Sequence, residues 1–188
     1  MSEQTNRWRG LFIGMAGSLA GLVAMQAYWQ YVAPKVEEKV KLGGENVYPS
    51  QVKLDNISVV GQQHKEEESS TAALGRLMYR AVTGKEPRSK EAQTLLSYLV
   101  HWGYGLLQGG VYGATRGANS KDRGLDLTGG AAFATGLWLI GDELVVPLLG
   151  LQDGPTAVAP SSHINRLGAH LAYGLATTTT TRVLSKIL

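Results

Sequence analysis

Four side chains have the chemistry to ligate a metal or pass a proton: His101, Asp142, Glu143 and His170, with Tyr104 and Tyr173 each three residues beyond a histidine. Two imidazoles and two carboxylates suit a borderline cation such as zinc, iron or manganese. Held away from bulk water, the same groups can relay protons. The plainer outcome is structural: they satisfy one another by hydrogen bonding in a low dielectric and so join helices. No H-E-x-x-H or E-x-x-H spacing occurs, so a metalloenzyme has no motif behind it. No glycine-rich phosphate loop follows a predicted strand, no serine nucleophile motif is present, and the absence of cysteine removes thiolate ligands and disulfides. His64, His163 and Arg166 read most simply as loop or interface residues.

Whether the four residues can meet depends on the elements that carry them. Residues 101–117, HWGYGLLQGGVYGATRG, hold Gly105, Gly109, Gly113 and Gly117 at intervals of four. On a helix that spacing makes a groove where a second backbone can approach closely. In water so many helical glycines would cost about 1 kcal/mol each relative to alanine; between helices in lipid they are an asset. Beside the groove, His101, Tyr104, Gln108, Tyr112 and Thr115 form a polar stripe, and Leu96, Leu99, Leu106 and Leu107 a lipid face. Glycine is 24 of 188 residues, and the excess lies in apolar segments, which favours close helix packing over disorder.

In chain order, residues 10–29 carry no charge and are long enough to cross a hydrocarbon core of about 30 Å. Gly10, Gly14 and Ser18 form one small-residue ladder, Gly17 and Gly21 a second, and Tyr28, Trp29 and Tyr31 follow as an interfacial belt. An uncleaved anchor fits better than a signal peptide, since the apolar run is long and no clean A-x-A site follows. Residues 34–88 read as a hydrophilic connector containing an amphipathic helix over 70–83. Its apolar face is Leu74, Leu77, Met78 and Ala81, with Arg76 and Arg80 on another face, and it suits the membrane surface or the bundle mouth.

Residues 89–188 read as three further spans. The first runs over about 91–116 with Ser89 as its cap; a polar turn at 118–123 leads to the next, and the last covers about 163–187. The middle span either stops near Gly141 or continues past Asp142 and Glu143 to Leu149, with Pro147 ending or kinking it. His101, Tyr104, Gly105 and Leu106 recur as His170, Tyr173, Gly174 and Leu175, 69 positions later, and Arg9-Gly10-Leu11 as Arg123-Gly124-Leu125. Two copies of a two-helix unit would give this pattern.

The predicted fold class is therefore all-α: an integral membrane bundle of four transmembrane helices, the first over 1–33, plus one amphipathic surface helix. Topology then brings His101, Asp142, Glu143 and His170 to similar depth. Arg7, Arg9, Arg116, Lys121, Arg123, Arg182 and Lys186 cluster near helix ends on the side of both termini, which the positive-inside rule places in the cytoplasm. The net charge of +3, with no basic stripe interleaved with aromatics, does not suggest a nucleic-acid partner.

The pattern H-W-G-Y-G at 101–105, G-x-x-Y-G at 109–113, W-L-I-G-D-E at 138–143 with Pro147, and H-L-A-Y-G at 170–174 resembles the YagU-like family of small bacterial inner-membrane proteins of unknown function. The similarity covers about residues 70–182. It implies a bacterial, multi-span inner-membrane protein and supplies no catalytic residues or cofactor. The expected role is a structural or accessory subunit whose partners are membrane lipid and a larger membrane complex or further copies of itself. The alternatives are a proton, ion or small-solute pathway, or a membrane metalloenzyme, built on His101, Asp142, Glu143 and His170.

Overall fold

The computed structural model describes residues 7–42, 54–117 and 126–188, and the chain there consists of helices and the turns and loops between them, with no strand. The polar turn expected at 118–123, and with it Arg123-Gly124-Leu125, lies outside the described residues. Helix α1 (Arg7–Tyr31) and helix α2 (Ala33–Leu42) follow each other with a one-residue break. Helix α3 (Ser70–Thr83) is capped by Ser69, whose hydroxyl accepts from the Ala72 amide, and closed by Gly84 in the left-handed region at φ 69°. Helix α4 (Lys90–Tyr112) starts at Ser89, which accepts from the Ala92 amide, and ends in a π turn, Gly113–Gly117.

Helix α5 (Leu127–Gly136) begins at Asp126, whose carboxylate accepts from the Gly129 amide at 2.9 Å and from the Tyr112 hydroxyl at 2.8 Å. It runs without a stop into a π segment, Leu137–Val145, and a last turn, α6 (Val146–Leu148). The helix therefore passes through Asp142 and Glu143. Pro147 explains the wide turns. It has no N–H to give, and its ring would crowd the preceding turn of a tight α-helix. In π register the carbonyl left without a backbone donor is that of Asp142, and the Gln152 side-chain amide donates to it at 2.5 Å. A short 3₁₀ turn, Pro155–Ala157, leads to helix α7 (Pro160–Ile187). Two helical stretches, Arg7–Lys39 and Leu127–Leu148, are long and apolar enough to cross a membrane.

The chain forms two compact units, each discontinuous in sequence. The first holds α1, α2, the stretch Gly105–Trp138 and Ser161–Leu188. Its apolar centre is small: Leu22, Met25, Ala169 and Tyr173, with Tyr28, Leu106, Phe133 and Leu137 against them. Leu106, expected on a lipid face, is thus half-buried in this cluster, while Leu99 and Leu107 are exposed. Ile13, Ala33, Tyr112 and Ala134 are buried apart from this cluster, and much of the remaining interior is polar or side-chain-free: Ser18, Asn165, Thr177, Thr178 and Thr181 are at most 1% exposed.

The second unit holds residues 54–104 and Leu139–Pro160. Here α3 sits with Gly75 against Leu96 of α4, and the Thr71 and Ser97 hydroxyls bond at 2.8 Å. The buried face of α3 is Ala73, Gly75 and Arg76, and Met78 is exposed. The face turned into this unit thus differs from the apolar face read from the periodicity, and it includes Arg76. A glycine brings two backbones together more cheaply than Met78 would, and Arg76 is drawn inward by a carboxylate that periodicity alone does not reveal. The connector is likewise built into this unit: the Val59 amide donates to Leu148 O, those of Gln63 and His64 to Gly150 O, and that of Gly154 to Asp55 O.

Candidate functional site

The first unit is organised by seams in which side chains are missing. On α1, Gly14 lies against Gly109 and Gly113 of α4, and a β-carbon added to Gly14 would fall on the Gly109 carbonyl and 2.8 Å from Gly113 Cα. A β-carbon on Gly113 would meet the Gly10 carbonyl, one on Gly109 the Ser18 side chain, and one on Gly105 the Leu22 side chain at 2.6 Å. The two ladders read from the sequence, Gly10–Gly14–Ser18 and Gly105–Gly109–Gly113, therefore mesh. Gly117 closes the π turn beyond them. On the other side of α1, Gly17 lies under Thr181 and Gly21 under Thr177, with Tyr173 O 2.7 Å from the β-carbon that Gly21 lacks. Thr177 and Thr181 hydroxyls have no conventional hydrogen-bond partner; their oxygens face glycine Cα–H groups, a weak contact recurrent at helix interfaces. Helix α5 repeats the device, with Gly130 under Thr178 and Gly174 of α7 against Ala134.

Gly105 and Gly174 hold equivalent places in the repeated H-x-x-Y-G-L sequence. One meets the helix of the first half and the other the helix of the second. Tyr173 uses its hydroxyl within the first unit, donating to Gly105 O at 2.6 Å, and is 2% exposed. The ring of Phe133 lies between those of Tyr112 and Tyr173, with centroid separations of 5.1 and 6.2 Å. His170, half-buried on α7, engages Arg166 O through Nδ1 at 2.9 Å. Of the six polar residues singled out in the sequence, these two, Tyr173 and His170, belong to the first unit.

The other four, His101, Tyr104, Asp142 and Glu143, belong to the second. His101, Asp142 and Glu143 are half-buried; Tyr104 is exposed, its hydroxyl beside Gly141 at the π segment. Among the described residues no group of three or more His, Asp or Glu side chains is gathered to hold a metal ion. The reading of these residues as metal ligands thus has neither a motif nor a cage behind it.

Sequence reasoning missed two polar networks in the second unit. Arg76, 5% exposed, donates through Nε to Glu68 Oε1 at 2.8 Å, and through Nη2 to Glu68 Oε2 at 2.9 Å and Gln63 O at 2.5 Å. That paired geometry, above all the hydrogen bond from Arg76, holds the Glu68 carboxyl below its ordinary range. In the other network His64 pairs with Asp153 at 3.2 Å through Nε2 and engages Gly150 O at 2.9 Å through Nδ1. Gly150 has φ 67°, and a β-carbon there would strike Gly61 O, so only glycine fits on two counts. Asn165, also unremarked in the sequence, is 1% exposed: it accepts from Tyr28 Oη at 3.3 Å and donates to Ala33 O and Glu37 Oε1 at 3.4 Å, tying α7 to the α1–α2 break. These pairs join residues of different segments, eight to well over a hundred positions apart, and leave no periodic signal.

No protein-family model matches the chain, and no curated protein or solved structure matches it.

Proposed function

We propose that this chain is a multi-span protein of the bacterial inner membrane, of the YagU-like kind, and acts as a structural or accessory subunit. The observation that carries this reading is the distribution of side chains. The fully buried positions of the first unit are largely glycine, serine, threonine and asparagine, whereas Trp8, Phe12, Val23, Leu107, Val111, Val183 and Ile187 are exposed. Water would favour the reverse. In lipid the tails solvate the large apolar chains, and backbone approach through small residues holds helices together.

Arg7–Lys39 and Leu127–Leu148 meet the length and apolarity of spans. Helices α4 and α7, at 23 and 28 residues, have the length of the other two, since about 20 residues suffice. Their polar residues lower their mean apolarity, and in α7 Asn165, Tyr173, Thr177, Thr178 and Thr181 are turned inward. The termini are assigned to the cytoplasm from Arg7, Arg9, Arg116, Lys121, Arg123, Arg182 and Lys186.

A solute pathway is less well supported along these seams, because at Gly14, Gly17, Gly21 and Gly113 there is not space for one added carbon. The test is recovery of a C-terminally tagged chain from native membranes in mild detergent, followed by mass spectrometry. Stoichiometric co-purification of a larger membrane complex is the expected result. Recovery of the chain alone would end the accessory-subunit reading.

A further inference from the structure

Two buried donors in the first unit lack acceptors. Arg166 Nη1 and Trp138 Nε1 are both shut off from solvent and have no hydrogen-bond partner. Burying such a group unpaired is costly, and more so when it is charged. Both groups ask for the same thing, an oxygen acceptor, and for Arg166 a negative one.

The helix registers bring them to one end of α7. Gly130 faces Thr178 and Gly174 faces Ala134, so α5 and α7 run antiparallel, and the next turn sets Trp138 opposite His170. Arg166 is one turn beyond His170 on the same face, and His163 continues that face toward the helix start; the spacing 163, 166, 170 is that of one helical stripe. The dipole of α7, positive at Pro160, adds to the field of this stripe. Glu37, a carboxylate bonded to α7 here, accepts from Asn165, and Arg166 Nη1 is left without an acceptor.

The same end of α7 lies at the height of the aromatic belt of α1. Tyr28 bonds to Asn165 and its ring covers Gly168, with Trp29 edge-on to Tyr28 at 6.3 Å. In a bilayer that is headgroup depth. We infer that Arg166, with Trp138 as second donor, binds the phosphate of an anionic phospholipid headgroup at the start of α7. The inference rests on the membrane reading above.

The test uses the full chain in mild detergent, titrated with phosphatidylglycerol and with phosphatidylcholine of the same acyl chains, and counts retained lipid by native mass spectrometry. Phosphatidylglycerol is expected to be retained about tenfold better, and Arg166→Gln to remove about that factor, the weight of one charge-assisted hydrogen bond. Arg80→Gln, an exposed arginine on α3, leaves retention unchanged. Trp138→Phe keeps the ring and removes an unpaired donor, so it should weaken lipid retention severalfold while raising the melting temperature of the lipid-free chain. Both falling together would mark Trp138 as merely structural and overturn its assignment. Equal retention by wild type and Arg166→Gln would overturn the site, with unchanged melting of Arg166→Lys as the check on folding. Arg166-dependent binding of inorganic phosphate with no preference between the two lipids would overturn the lipid source in favour of a soluble phosphate ester. Release of the wild-type chain from native membranes by alkaline carbonate would sink the membrane reading itself, a result that the lipid titration cannot mimic.

Discussion

At the scale of single residues, the second unit shows how one backbone irregularity recruits a side chain. Pro147 withholds the donor that the π segment would supply to Asp142 O, and Gln152 provides it. Gln152→Ala removes that donor and should destabilise by about 0.5–1.5 kcal/mol, the net worth of one hydrogen bond; melting of the purified variant measures it. The Glu68–Arg76 pair has a pH signature. Its folded-state carboxyl lies below the unfolded value of about 4.3. The stability it lends is therefore fully present above that value and lost as pH falls through the lower, folded one. Glu68→Gln should flatten the acid limb of a melting-temperature profile below the ordinary carboxylate value of about 4.3, and an unchanged limb would refute the assignment. At neutral pH it removes the nearest counter-charge of a nearly buried guanidinium that keeps Gln63 O and Glu86, at a cost on the order of 1–3 kcal/mol.

At the scale of elements, the helices were legible because their signals are local. Ser69, Gly84 and Ser89 act at the ends of α3 and α4 through neighbours one to four residues away. The glycine ladders were legible as surfaces because the four-residue spacing is a property of one helix. Faces that depend on a partner were not. Arg76 reads as solvated until Glu68 is placed beside it, and the contact of α3 with α4 through Gly75 leaves no mark in the periodicity. Of the six polar residues, the sequence pattern named the types and left their partners open: Tyr173 Oη goes to a backbone carbonyl and not to a histidine. The α1–α4 seam makes a sharp prediction. Gly113→Leu places four carbons where Gly10 O and Gly14 already sit. Overpacking of this kind costs at least about 1–3 kcal/mol, and here more because the obstacle is backbone. Loss of a folded, detergent-stable species on size exclusion is expected, while Gly103→Leu, with open space around it, is tolerated.

At the scale of the whole molecule, the contest is between a chain that holds something together and one that conducts. His101→Asn combined with His170→Gln distinguishes them, because amides can replace imidazole hydrogen bonds and cannot replace its proton chemistry. The accessory reading expects the double variant to assemble and function in membranes as wild type does, with a change in stability below about 2 kcal/mol. Loss of the cellular phenotype with assembly intact would favour the pathway instead.

The placing of α1 between α4 and α7 bears on how the chain is made. On the multi-span reading proposed above, α1 is made before α4 and α7 and enters the bilayer on its own apolarity, with both of its grooves unfilled. Helix α7 emerges last, carrying five consecutive threonines, Asn165, Arg166 and Arg182, and has little affinity for hydrocarbon by itself. On the same reading its insertion depends on a template already waiting in the membrane. Deleting α1 should leave α7 on the cytoplasmic side, readable as loss of external protease access to a tag placed in the 152–160 loop, a change that depends on topology and not on stability alone.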